Sequence, residues 1–201
     1  TTLLRRAIAM LGGSSVYHIP NRFTEGYGVN IPALAEAKAN GVSLAVTVDC
    51  GIRSFEPLEW ARDNGLDVIV TDHHLSDETK GNPPACAVVN PNQPGCEYPD
   101  KHLAGVGVAF KVAHALLRQN GKEHLVPAFM KIAAIGTVAD IMKLSGENRA
   151  IVALGLRDLP NTKNYGLKAL MEVADCRSDM TSYHIGFRIA PRINAAGRMD
   201  A

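Results

Sequence analysis

Apolar residues at Leu3, Leu4, Ala7, Ile8 and Leu11 recur at helical spacing, and Gly12-Gly13 then stops the pattern where a left-handed residue is commonly needed. The chain therefore opens within a helix. Short apolar runs at residues 15–19, 43–48, 67–71 and 85–89 predict strands, separated by helices predicted around residues 31–40 and 54–64. A strand, helix, strand succession implies parallel pairing. Leu44-Ala45-Val46-Thr47-Val48 and Val68-Ile69-Val70-Thr71 are continuous apolar runs rather than alternating ones, the pattern of strands covered on both faces. The predicted architecture is α/β, a doubly wound, mainly parallel sheet flanked by helices.

After the turn-rich stretch Asn90-Pro91-Asn92-Gln93-Pro94-Gly95 the pattern becomes helical, around residues 103–119, 126–135, 148–159 and 165–173. Residues 1–90 are thus expected to form an α/β part and residues 103–201 a mainly helical part. No internal repeat, low-complexity tract or charge run marks a linker, so both parts are assigned to one domain, residues 1–201.

With 46% hydrophobic residues among 201, the chain can bury a substantial core. The formal net charge of +1 excludes a uniformly basic nucleic-acid binder, so affinity for phosphate must come from local Arg or Lys clusters or from bound metal. Cys50, Cys86, Cys96 and Cys176 form no C-x-x-C pair and no disulfide-like framework, which fits a reducing compartment and makes the cytoplasm the expected location. No apolar run reaches the roughly 18 to 20 residues that span a bilayer, and no signal-peptide pattern is visible.

In open parallel sheets ligands bind outside the carboxyl ends of the strands, and two predicted strands here end in metal-ligand types. They read Val48-Asp49-Cys50-Gly51 and Thr71-Asp72-His73-His74. A carboxylate and two adjacent imidazoles on neighbouring strand tips can converge on one divalent cation. An isolated Asp at a strand end is ordinarily a helix cap or turn former, so Asp49 alone defines no site. Ile135-Gly136-Thr137-Val138-Ala139-Asp140 offers a further carboxylate, which alone would read as a helix end. Gly105-Val106-Gly107 lacks the strand context of a dinucleotide fingerprint; close packing of its helix, against the sheet or the loop after Asp140, is the expected role. His18, His102, His114, His124 and His184 are isolated and carry no site.

Taken together, Val48-Asp49-Cys50-Gly51-Ile52, Thr71-Asp72-His73-His74, Gly136-Thr137-Val138-Ala139-Asp140 and Pro191-Arg192-Ile193-Asn194-Ala195-Ala196-Gly197-Arg198-Met199 resemble the DHH phosphoesterases. Ile19-Pro20-Asn21-Arg22-Phe23, Glu25-Gly26-Tyr27-Gly28 and Leu103-Ala104-Gly105-Val106-Gly107-Val108-Ala109-Phe110-Lys111 narrow the resemblance to the RecJ-type exonucleases within that superfamily. The resemblance implies metal-dependent hydrolysis of phosphodiester bonds in single-stranded DNA, 5′ to 3′, with release of 5′-mononucleotides, in DNA repair and recombination. It implies a two-metal site for Mn²⁺ or Mg²⁺, in which Asp49 bridges the ions and His73 and Asp140 ligate one of them. Asp72 would orient the histidine pair and His74 would face the scissile phosphate. Arg192, Asn194 and Arg198 would grip phosphate, and Arg22 would contact the 5′-terminal phosphate. A helicase and a single-strand-binding protein are the implied partners.

The same resemblance leads one to expect a strand ending in Asp-x-Asp-x-Asp-Gly ahead of Thr1 and further domains beyond Ala201, so that this fragment alone is expected to be inactive and marginally stable. Ile141-Met142-Lys143-Leu144 departs from the Val-Val-Pro-Leu-like run of the family without touching Asp140. Two alternatives share these residues: another DHH phosphoesterase (pyrophosphatase, oligoribonuclease or cyclic-dinucleotide phosphodiesterase), or a non-catalytic nucleic-acid-binding module.

Overall fold

The structure is a computed structural model describing residues 1–21, 23–176 and 179–196, with only the backbone of Ala196. Two compact units divide it, one of Thr1 with Ser14–Ala109 and one of Thr2–Gly13 with Phe110–Ala201. The first helix, α1 (Thr2–Met10), belongs to the second unit.

In the first unit the order is α2 (Ile31–Ala39), β1 (Leu44–Val48), α3 (Phe55–Asp63), β2 (Asp67–Thr71) and β3 (Ala87–Val89). Asn30 starts α2 by accepting the Ala33 amide on Oδ1 at 2.8 Å, with Pro32 in the first turn where no amide is needed. Leu34 of α2 and Leu58 and Ala61 of α3 pack with Leu66, Val68 and Val70, which buries these helices against β2. The strands run parallel in the order β1-β2-β3. Val48 pairs with Thr71, and Thr71 with Val89, so all three strands finish level.

The expected parallel α/β layer with flanking helices is present, with two corrections. No strand forms at residues 15–19: Val16 and Ile19 are 77% and 68% exposed, and without burial or a ladder partner the apolar residues have nothing to hold them extended. β1 is also less buried than its continuous apolar run predicts, with Leu44 47% exposed, because among the described residues it pairs on one side only.

The second unit is helical. Besides α1 and the C-terminal part of α4 (Gly105–Gln119), it holds α5 (Pro127–Ala139), α6 (Gly146–Asp158) and α7 (Tyr165–Val173). A further helical run, not expected from the periodicity, comprises α8 (Ser182–His184), a π-helical turn at Ile185–Ile189 and α9 (Ala190–Ala196). Pro191 has no amide to donate four residues back, and a widened turn just before a proline is a known response to that loss. Ile185 and Ile189 still point inward, fully buried with Leu159, Met171 and Cys176. No helix of the described residues is long and apolar enough to cross a membrane.

Helices α5 and α6 approach closely at Gly155, where an added Cβ would collide with Ala134 Cβ and stand 2.8 Å from the Met130 carbonyl oxygen. Both obstacles are held by the α5 backbone and cannot swing aside. Gly155→Ala should therefore destabilise the protein by about 1–3 kcal/mol through overpacking, despite the roughly 1 kcal/mol that alanine gains over glycine in a helix interior. Urea unfolding reads the outcome; a stabilised variant would mean that the helices part easily.

Candidate metal centre

Because the strands end level, the residues that follow them, Asp49, Asp72 and Asn90, leave the sheet at one edge. Parallel pairing continues one step further, the Asp49 amide donating to the Thr71 carbonyl at 2.9 Å and the Asp72 amide to the Val89 carbonyl at 3.1 Å. Asp49 then turns into the left-handed region with φ 67°, a conformation costing a non-glycine residue roughly 1–2 kcal/mol. Neighbouring groups hold it there. Tyr27 Oη donates to the Asp49 carbonyl at 3.1 Å, and Thr47 Oγ1 donates to the Cys50 carbonyl at 2.7 Å. Gly51, at φ 110°, passes so near Thr47 that a Cβ would lie 2.8 Å from its hydroxyl.

The turn carries the Asp49 carboxylate back toward β2, where Oδ1 stands 3.1 Å from Nε2 of the nearly buried His73. Asp49 Oδ1 is itself buried and has no hydrogen-bond partner among the described residues, and it faces His73 Nε2 at ion-pair distance. A carboxylate oxygen and an imidazole nitrogen facing one another in that way suit two ligands of a shared cation.

Asp72 is organised differently. Its side chain is 1% exposed, and its carboxylate accepts four hydrogen bonds. Oδ2 accepts the Ile52 amide at 3.0 Å; Oδ1 accepts the His73 amide at 2.7 Å, the His74 amide at 3.3 Å and His74 Nδ1 at 2.7 Å. Set against an ionised carboxylate, which only accepts, His74 Nδ1 is the donor of this contact, an arrangement that in a neutral ring leaves the lone pair on Nε2. His74 is half-exposed, its ring centroid 4.4 Å from that of His73.

A second loop fastens the histidines from the opposite side. Asn90 Nδ2 donates to the His74 carbonyl at 2.9 Å, and Asn92 Nδ2 to the His73 carbonyl at 2.6 Å. Lys101 Nζ in turn binds the Pro91 and Cys96 carbonyls at 2.7 and 2.6 Å. The backbone of both histidines is thus pinned through its amides by Asp72 and through its carbonyls by the asparagines.

Among the described residues, Asp49, Asp72, His73 and His74 offer ligand atoms within 4.8 Å of one another, a set able to hold a metal ion. The local field is negative: burial first, then Asp72 and Asp49, push the Cys50 thiol up to about 11.

The four residues read from the two strand-end motifs are therefore brought together. Asp140 caps the end of α5 in the second unit, its amide donating to the Gly136 carbonyl at 3.0 Å, and Ile141 follows at φ 57°. Arg192 and Asn194 lie on α9 in the second unit, Arg192 Nη1 donating to the Arg188 carbonyl at 2.7 Å. Arg22 and Arg198 lie outside the described residues. Asn90, Asn92, Tyr27 and Thr47 were not expected at the site. Asn90-Pro91-Asn92 reads as an ordinary turn, and the only available signal is its place directly after a strand of the same sheet.

The chain belongs to the DHH family, whose N-terminal domain matches residues 1–137. Within that class it is similar to the single-stranded-DNA-specific exonuclease RecJ of several bacteria. Identity is 43% to that of Bacillus subtilis strain 168, covering 100% of this chain and 25% of the relative, and 42% to that of Escherichia coli K12, covering 100% and 37%. The Thermus thermophilus protein is 40% identical, covering 99% and 28%. Among solved structures, exonuclease RecJ bound to manganese superposes with a TM-score of 0.88 at 39% identity, over 98% of this chain and 49% of that one. RecJ of Thermus thermophilus in complex with Mn²⁺ gives 0.79 at 36%, over 98% and 27%. The chain thus spans well under half the length of these curated relatives.

Asp72→Asn should destabilise the protein by about 2–3 kcal/mol, since an amide nitrogen would face backbone donors that now have an anionic acceptor. It should also release His74 from the Nδ1–H tautomer, visible in the ¹⁵N shifts of the ring. An unchanged tautomer would remove Asp72 from control of His74. Cys50 should alkylate slowly at pH 8, its rate still climbing about tenfold per pH unit toward about 11; a plateau by pH 9 would contradict the buried, negative setting.

Proposed function

We propose that this chain is the metal-binding part of a nuclease that hydrolyses phosphodiester bonds in single-stranded DNA from the 5′ end and releases 5′-mononucleotides. The observation that carries the reading is the gathering of Asp49, Asp72, His73 and His74 at the carboxyl edge of the sheet. Similarity along the whole of this chain to proteins named single-stranded-DNA-specific exonuclease RecJ supports it over a pyrophosphatase, an oligoribonuclease, a cyclic-dinucleotide phosphodiesterase or a binding module.

The donor set suits Mn²⁺ or Mg²⁺, which Asp49, His73 and Asp140 would hold. When bound, such ions supply a water acidic enough to attack at neutral pH and positive charge beside the phosphoryl oxygens. Asp72 holds His74 in one tautomer, and His74 meets the scissile phosphate from its half-exposed position. Arg192 and Arg198 neutralise the strand's phosphates, Asn194 hydrogen-bonds to them, and Arg22 contacts the 5′-terminal one. An enzyme confined to single strands needs unwound substrate, which a helicase supplies and a single-strand-binding protein keeps open. The cytoplasm, where thiols such as those of the four cysteines stay reduced, is the proposed setting.

The test is made in the full-length protein with 5′-phosphorylated single strands and Mn²⁺. Asp49→Ala and His73→Ala should lose both metal, read by calorimetry, and mononucleotide release. His74→Ala should keep its metal while turnover falls about 100-fold or more. Metal loss in the His74 variant would exchange the two histidine roles, and Mn²⁺ heats unaffected by Asp49→Ala would remove Asp49 from the centre.

A further inference from the structure

The sequence motif Leu103-Ala104-Gly105-Val106-Gly107 opens α4, and no part of the chemistry proposed above uses it. Its contacts give it a role. A Cβ built on Gly105 would collide with the Asp49 Oδ1 atom, with Asp49 Cγ at 2.6 Å and Asp49 Cβ at 2.9 Å. The face of Gly105 that any other residue would fill is occupied by the Asp49 side chain.

An alanine there could not be accommodated by rotating the carboxylate alone, because the encounter with Asp49 Cβ lies ahead of that torsion. The Asp49 backbone cannot retreat cheaply either: it is already left-handed, its amide is bonded to Thr71 and its carbonyl receives the Tyr27 hydroxyl. Ala104, directly before the helix, is fully buried, so α4 starts from a packed position. Gly107, in the same turn, differs: its added Cβ would first meet Leu103, an apolar side chain, at 2.6 Å from Cδ1.

We infer that Gly105 is a positioning residue for Asp49: its missing side chain leaves the space in which the Asp49 carboxylate is held against His73 Nε2. The inference rests on the reading of Asp49 as a metal ligand for its functional consequence, and on packing alone for its structural one. Displacing a ligand through a neighbouring group commonly weakens metal binding by about 10- to 100-fold.

Two measurements on the full-length protein separate these layers. In a double-mutant cycle by urea unfolding without metal, Gly105→Ala should lower the midpoint in the wild-type background and lose most of that effect when Asp49→Gly vacates the space. Should Gly105→Ala not fold, recovery of folding in the double variant is the same result. An equal penalty in both backgrounds overturns the inference. Separately, Mn²⁺ titrations followed by electron paramagnetic resonance should show Gly105→Ala binding about 10- to 100-fold more weakly than wild type, while Gly107→Ala, destabilised by its own crowding, binds as wild type does. Wild-type affinity in Gly105→Ala overturns the positioning role and leaves the metal centre standing. Equal binding by wild type and Asp49→Ala overturns the metal reading instead, and with it the functional half of the inference.

Discussion

The carboxylate of Asp72 is the constraint on which the candidate centre depends. It is almost completely removed from water, and burying an ionised group is costly unless donors replace the solvent. Amides of Ile52, His73 and His74 and the ring of His74 provide that replacement. The same bonds that solvate the anion join the loop after β1 to the loop after β2 and fix the path of the histidine pair. Asp72 thus acts on the site through backbone geometry and through one imidazole tautomer, while Asp49 and His73 present the atoms that face each other.

Around this hub the loops are fastened from several directions, and each fastening has a local cost. Asp49 and Gly51 both leave the ordinary backbone region, and the strain is borne because Thr47, Tyr27 and Thr71 each offer a hydrogen bond to that turn. Asn90 and Asn92 hold the histidine carbonyls in the same manner. A centre built to receive cations needs its ligands prearranged, since carboxylates and imidazoles left free would spread apart under their own charge and hydration.

Much of this could be read along the chain. The apolar runs at residues 67–71 and 44–48 and the helical periods at residues 31–40, 54–64 and 165–173 correspond to elements that form, because each depends on the burial of its own residues. Residues 15–19 show where such reading fails: Val16 and Ile19 have strand-like chemistry, yet a strand requires a partner, and pairing is not encoded in five residues. The run from Ser182 to Ala196 fails in the opposite sense, its period broken by Pro191 and restored only by the buried Ile185 and Ile189.

By itself the sequence determined the chemistry of the candidate centre, since Asp49, Asp72, His73 and His74 are metal-ligand types placed directly after apolar strands, and the carboxyl ends of the strands are where an open parallel sheet binds ligands. It also determined the family, through motifs spread over the chain. Only the tertiary structure decided which of these groups face a common point and which serve as supports. That Asp72 turns its oxygens to backbone amides, that Asn90 and Asn92 hold the histidine carbonyls and that Gly105 makes room for Asp49 are contacts between residues far apart in sequence. Their partners are chosen by the register that brings β1, β2 and β3 to one level, a property of the folded sheet that no local run of residues carries.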